Sequence, residues 1–205
     1  MRKLLAVALF LTLPALALGG ELTTLFASNN QFAGNMFDLT VKSSLPILIN
    51  SFAVNVTLPG TEQKISVYYK TGTYVGSESN PAAWTHLGTA TGTSAGQDLP
   101  TLINIGGLTL NPGQTYGMYV FLTDYTVNPP PAGVASMRYT NIPPALTIYE
   151  NDDLKLTGGV GKGSPPFTGS TFNNRMWNGT IYYDVVPEPA TLGLLGLGLC
   201  LLRRR

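Results

Sequence analysis

The stretch that decides the fold is Ser51-Phe52-Ala53-Val54-Asn55-Val56-Thr57-Leu58-Pro59-Gly60. Phe52, Val54, Val56 and Leu58 alternate with Ala53, Asn55 and Thr57, the period of two that sends successive side chains to opposite faces of a strand. One set predicts a face in a core and the other a face towards solvent. Pro59-Gly60 ends the run, because proline has no amide to give a ladder and glycine turns where other residues are strained. Ile65, Val67 and Tyr69 resume the alternation just beyond. This is strand, turn, strand.

Working outward, the same pattern predicts strands over 36–41, 84–89, 102–105, 115–122, 137–140, 145–149 and 179–186. Turn clusters separate them, at Gly76-Ser77-Glu78-Ser79-Asn80-Pro81, Asn111-Pro112-Gly113 and Asn128-Pro129-Pro130-Pro131. No stretch of the body carries a sustained helical stripe. Eight or more short strands punctuated in this way predict an all-β, antiparallel β-sandwich, with a jelly roll as the preferred topology. The glycine run from Gly158 to Ser164 reads as a mobile loop. Its single lysine, Lys162, is followed by glycine, so it does not form a phosphate loop.

Composition agrees. Of 205 residues only 11% are charged, while Gly (23) and Pro (15) are abundant, against roughly 25% charged residues in ordinary soluble domains. The region 21–186 holds seven basic and ten acidic side chains, a net charge of −3. Without a basic patch it is a poor partner for nucleic acid, whose affinity rests on neutralised phosphates. Cys200 is the only cysteine and lies near the C-terminus, so the body has no disulfide, thiolate nucleophile or cysteine metal site.

The two ends set the address. Arg2-Lys3, an apolar stretch and then Ala15, Ala17, Gly19 and Gly20 have the three parts of a secretory signal peptide, with cleavage expected at or within a few residues of Ala17. The expected division is a signal peptide over 1–20, a sandwich over 21–185 and a tail over 186–205. The tail opens with Val186-Pro187-Glu188-Pro189, which stays extended. An apolar helix is expected next, carrying Ala190, Leu192, Leu195, Leu199 and Leu202, and Arg203-Arg204-Arg205 closes the chain. Thirteen helical residues span about 20 Å, and the arginines belong on the cytoplasmic side. An ordinary C-terminal membrane anchor is the alternative.

The Pro-Glu-Pro triplet, the Gly/Leu-rich run and the arginine cluster, in that order and spacing, resemble the PEP-CTERM sorting domain, also catalogued as an ice-binding protein C-terminal domain. The resemblance implies a Gram-negative cell and an exosortase that cleaves near the motif. It also implies a transient membrane intermediate, delivery to the cell surface or outside, and a setting of exopolysaccharide and biofilm. The body more loosely resembles β-rich domains found with such tails, through Gly34-Asn35-Met36-Phe37-Asp38, Asn80-Pro81-Ala82-Ala83-Trp84 and Trp177-Asn178-Gly179-Thr180.

Chemistry is scarce. The one histidine, His86, is expected on the same strand face as Trp84 and reads as structural. Glu150, Asp152 and Asp153 form the densest acidic cluster; they read as a solvated turn, with calcium as the sharper alternative. A catalytic carboxylate pair would have to come from Asp38, Asp124 or this cluster, and the reading adopted is no enzyme and no cofactor. Trp84 and Trp177 are the candidate glycan contacts, with Tyr68, Tyr116 and Tyr182 as further aromatic platforms. The sequence thus points to an exported structural or adhesive protein, alternatively to a carbohydrate-binding module, and last to an enzyme acting on polysaccharide.

Overall fold

The computed structural model describes residues 18–127, 130–143 and 147–186. Its strands are β1 (Leu18–Thr23), β2 (Asn30–Phe32), β3 (Gly34–Val41), β4 (Ile47–Asn55), β5 (Glu62–Thr71), β6 (Thr85–Thr93) and β7 (Pro100–Ile103). They continue with β8 (Leu108–Leu110), β9 (Thr115–Leu122), β10 (Met137–Asn141), β11 (Ile148–Glu150), β12 (Leu154–Lys162), β13 (Thr171–Trp177) and β14 (Gly179–Val185). A 3-10 turn, Pro81–Ala83, precedes β6. Among the described residues no helix is long and apolar enough to cross a membrane; the expected helix over 190–202 lies outside them.

Two antiparallel sheets form a sandwich. The small sheet has the order β1-β14-β4-β7, with β8 also on β4. The large sheet runs β2-β10-β13-β12-β3-β9-β5-β6, with β11 on β12. Set against each other, β1-β14-β4-β7 and β3-β9-β5-β6 have the strand order of a jelly roll, the chain crossing between sheets as two Greek keys. The segment from β10 to β13 is inserted between β9 and β14 and widens the large sheet on its β3 side.

The core lies between the sheets. Phe37 of β3 stacks on Trp177 at 4.9 Å and 16°, and Phe52 of β4 meets the same indole edge-on at 6.4 Å. A second apolar layer covers the outer face of the large sheet. Tyr119 and Tyr68 are cross-strand partners there, and Phe167 packs on both at 5.1 Å, as Trp84 packs on Tyr119 and Phe167. This second layer is why β9 is buried on both faces.

Several expectations are corrected. The glycine run is not a mobile loop: Gly158 to Lys162 belong to β12, bulged where it pairs with β3. A Cβ on Gly159 would fall 2.1 Å from the Met36 carbonyl oxygen, so these glycines serve close strand contact. At the far end of β4 the alternate face is closed as well: Asn55 is 0% exposed and bonded to Asp98 of the 95–99 loop. Leu58 stands outside the strand at φ 63°. Trp84 precedes β6; its ring is buried while His86 is exposed, and its Nε1 donates to the Ser77 carbonyl at 2.9 Å. Of the expected strand over 145–149, Ile148 and Tyr149 form the start of β11, and residues 145 and 146 lie outside the described ones.

Candidate functional site

The sequence-predicted tail meets the body at β14. Val185 pairs with Ile47 of β4 and with Leu18 of β1. The Val186 amide donates to the Pro46 carbonyl at 2.8 Å. Ordered pairing thus runs to within one residue of Pro187. Pro187, Glu188, Pro189, Ala190, Leu192, Leu195, Leu199, Leu202 and Arg203 to Arg205 lie outside the described residues. At the other end β1 starts at Leu18, three residues before the expected domain boundary.

The strand that follows the expected signal is clasped to the strand that precedes the tail. The Tyr183 ring lies over Gly20, where any Cβ would come within 2.6 Å of it. Asn151 Nδ2 donates to the Glu21 carbonyl at 2.9 Å and to the Tyr183 hydroxyl at 2.8 Å, and that hydroxyl donates to Asp153 Oδ2 at 3.0 Å. Burial pushes the Tyr183 phenol up to about 12, the Asn151 donor works against this, and the Asp153 and Asp152 carboxylates add to it.

This clasp accounts for the acidic turn. Glu150 pairs with Lys42 at 3.3 Å, Asp153 accepts from Tyr183, and Asn151 Oδ1 takes the amides of Asp153 and Leu154. Among the described residues no group of three or more His, Cys, Asp or Glu side chains could hold a metal ion.

Neither tryptophan offered as a glycan contact presents a ring face. Trp177 is 0% and Trp84 9% exposed, each closed in by the rings named above. His86 lies on Tyr68, centroids 4.8 Å apart, and its Nε2 is 3.0 Å from Thr89 Oγ1. Tyr116 is buried, and its hydroxyl accepts from the Asn111 amide at 3.0 Å.

Tyr182 differs. It is half-buried on the outer face of the small sheet and forms the wall between two open grooves of about 380 Å³ each. One groove is lined by Gly19, Glu21, Asn50 and Asp184, the other by Ser51, Ala53, Pro100 and Leu102. Glu21 and Ser51 are the cross-strand neighbours of Tyr182. An aromatic ring on a sheet face, with carboxylate, amide and hydroxyl groups on either side, can stack a sugar ring and take its hydroxyls. Sequence reasoning named Tyr182 among several aromatics; only the register of β14 separates it from buried Tyr183.

Residues 185–205 match the model of the PEP-CTERM protein-sorting motif, so the chain carries a protein-sorting tail of the kind that directs exported proteins to exosortase. No curated protein matches the chain. Among solved structures, the infectious bursal disease virus Gx strain aligns at 10% identity and a TM-score of 0.26, covering 91% of this chain and 46% of that one. The subviral particle of that virus's VP2 aligns at 10% identity and a TM-score of 0.21, with the same coverages. The chain spans less than half the length of these viral chains.

Proposed function

We propose that this is a non-enzymatic surface or extracellular-matrix protein of a Gram-negative bacterium. It is exported behind its N-terminal signal, handed to exosortase through its tail, and serves as a structural or adhesive module in an exopolysaccharide matrix. The sorting-motif match over residues 185–205 carries this reading. A jelly roll closed on both sides of its large sheet suits a robust module held outside the cell.

Removing residues 187–205 in the producing cell should move the protein from the surface fraction to the soluble exported fractions and lower cell-to-cell cohesion several-fold. Surface display at the parental level would sink the sorting reading. Undiminished cohesion after loss of display would sink the adhesive role alone.

A second reading, a carbohydrate-binding module, is favoured by the open face around Tyr182. Glu21 and Asp184 beside the ring would repel acidic polysaccharides, which points to neutral or amino-sugar chains. Tyr182→Ala should abolish the retardation of the protein in gels containing such a polysaccharide and leave its unfolding midpoint unchanged. Equal migration of the parent protein with and without every neutral or amino-sugar polymer would remove this reading.

A further inference from the structure

Leu18 and Val185 are cross-strand partners, which sets their Cα atoms about 4.5–5.5 Å apart. Leu18 directly follows Ala15-Leu16-Ala17, the small-x-small triplet at which a signal peptide is cut. Val185 is followed by Val186, fixed to Pro46, and then by Pro-Glu-Pro. The two segments with affinity for the membrane therefore leave the body from neighbouring strands at one pole. Neither has a long spacer: three residues can span at most about 10 Å before the apolar run begins at Ala190.

The other elements at this pole follow from the register. Residues 42–46 link β3 to β4, 111–114 link β8 to β9, and 151–153 link β11 to β12; residues 72–84, which carry Glu78, leave β5 at the same pole, where the Gly72 amide donates to the Thr115 carbonyl. The Val41 amide donates to the Gln114 carbonyl, and those of Lys42 and Ser43 to the Asp153 carbonyl, so the three turns sit together. Residues 43–46 and 111–114 bear no charge, and the nearby Lys42 is paired with Glu150.

We propose that this pole is a membrane-facing surface: while the tail is intact, the turns at 42–46 and 111–114 rest against the lipid headgroups. The proposal rests on the sorting reading above and adds an orientation to it. The opposite pole, at residues 95–97, is held about 30 Å away by the nine residues of β4. The Tyr182 face points sideways, parallel to the bilayer, and stays accessible before release.

The test uses the full chain with Cys200→Ala and one new cysteine at exposed Ser44 or Gln114, or at exposed Ala95 or Gln97 on the far pole. Each is labelled with a fluorophore and bound to phosphatidylcholine vesicles that carry a headgroup-level quencher. Quenching at Ser44 and Gln114 should be several-fold stronger than at Ala95 and Gln97. A 15-residue Gly/Ser linker after Val186, a coil of roughly 20 Å, should erase the difference. Equal quenching at the two poles in chains that float with the vesicles would overturn the orientation and leave the sorting reading standing. Chains that do not float would overturn both.

Discussion

On the outer face of the large sheet, Tyr68 and Tyr119 are roofed by Phe167 and Trp84, and Lys162 is sealed beneath the 163–170 loop. On the outer face of the small sheet, Tyr182 stands between two open grooves. Both faces carry aromatic rings on their strands, yet the rings of the large sheet are closed into protein while Tyr182 borders the open grooves. Aromatic residues in a sandwich are therefore not equivalent candidates for binding: cover, not residue type, divides structural rings from available ones.

The largest expected effect comes from the layer both sheets share. Trp177 is wedged between Phe37 and Phe52, so Trp177→Ala should cost about 4 kcal/mol, in the range for emptying a large aromatic site. Urea unfolding would measure it. A cost near 1 kcal/mol would mean that the roof, and not the space between the sheets, carries most of the stability.

A smaller effect is expected in the roof. Lys162 is fully buried, and its Nζ donates to the carbonyls of Phe167 and Gly169, both at 3.0 Å, and to Thr171 Oγ1 at 2.7 Å. Burial draws its ammonium below the usual lysine range, and the Glu78 carboxylate opposes that. Lys162→Met keeps the bulk and removes the donors, leaving the carbonyls unsatisfied, and should cost about 2 kcal/mol. Proteolysis within 163–170 should rise with it. If Lys162→Met costs as much as Trp177→Ala, the roof and the inter-sheet core are one cooperative unit and the contrast drawn here fails.

How much of this could be read from the chain follows the same division. Strands β3, β4, β9 and β14 were legible because their alternation or unbroken apolar runs survive in the sequence. So was the tail, whose three parts are composition signals needing no tertiary context. Strand β12 was not, because Gly158, Gly159 and Gly161 are there for close strand contact, which reads as flexibility when neighbours are unknown. The roof was illegible for a related reason: Ser164-Pro165-Pro166-Phe167 has no period, and the place of Phe167 over Tyr68 and Tyr119 is purely tertiary. The acidic turn read as a solvated turn, with calcium as the alternative, because its partners, Tyr183 and Lys42, lie far away in sequence.

The far end of the small sheet offers the finest test of cover against openness. There the 95–99 loop closes over Asn55: the Asp98 amide donates to Asn55 Oδ1 at 2.8 Å, and Asn55 Nδ2 donates to Asp98 Oδ1 at 2.9 Å. Partial burial alone would raise the Asp98 carboxyl. Hydrogen bonds from the Ser28 hydroxyl and amide, from Asn55 and from Gln97 outweigh it and hold the group at about 2 instead of 3.8. A folded value below the ordinary one means that the unfolded chain binds the proton first. The stabilisation is therefore complete above the ordinary carboxylate range and is lost as pH falls from about 4 towards 2. Stability measured across that window should fall, and Asp98→Asn should flatten this part of the fall because the variant has already lost that stabilisation at neutral pH. The loss of cover should also speed hydrogen exchange at the Asn55 end of β4 before it does so near Tyr182, where there is no cover to lose. Exchange that accelerates evenly along β4 would show that the loop does not act as a separate lid on this sheet.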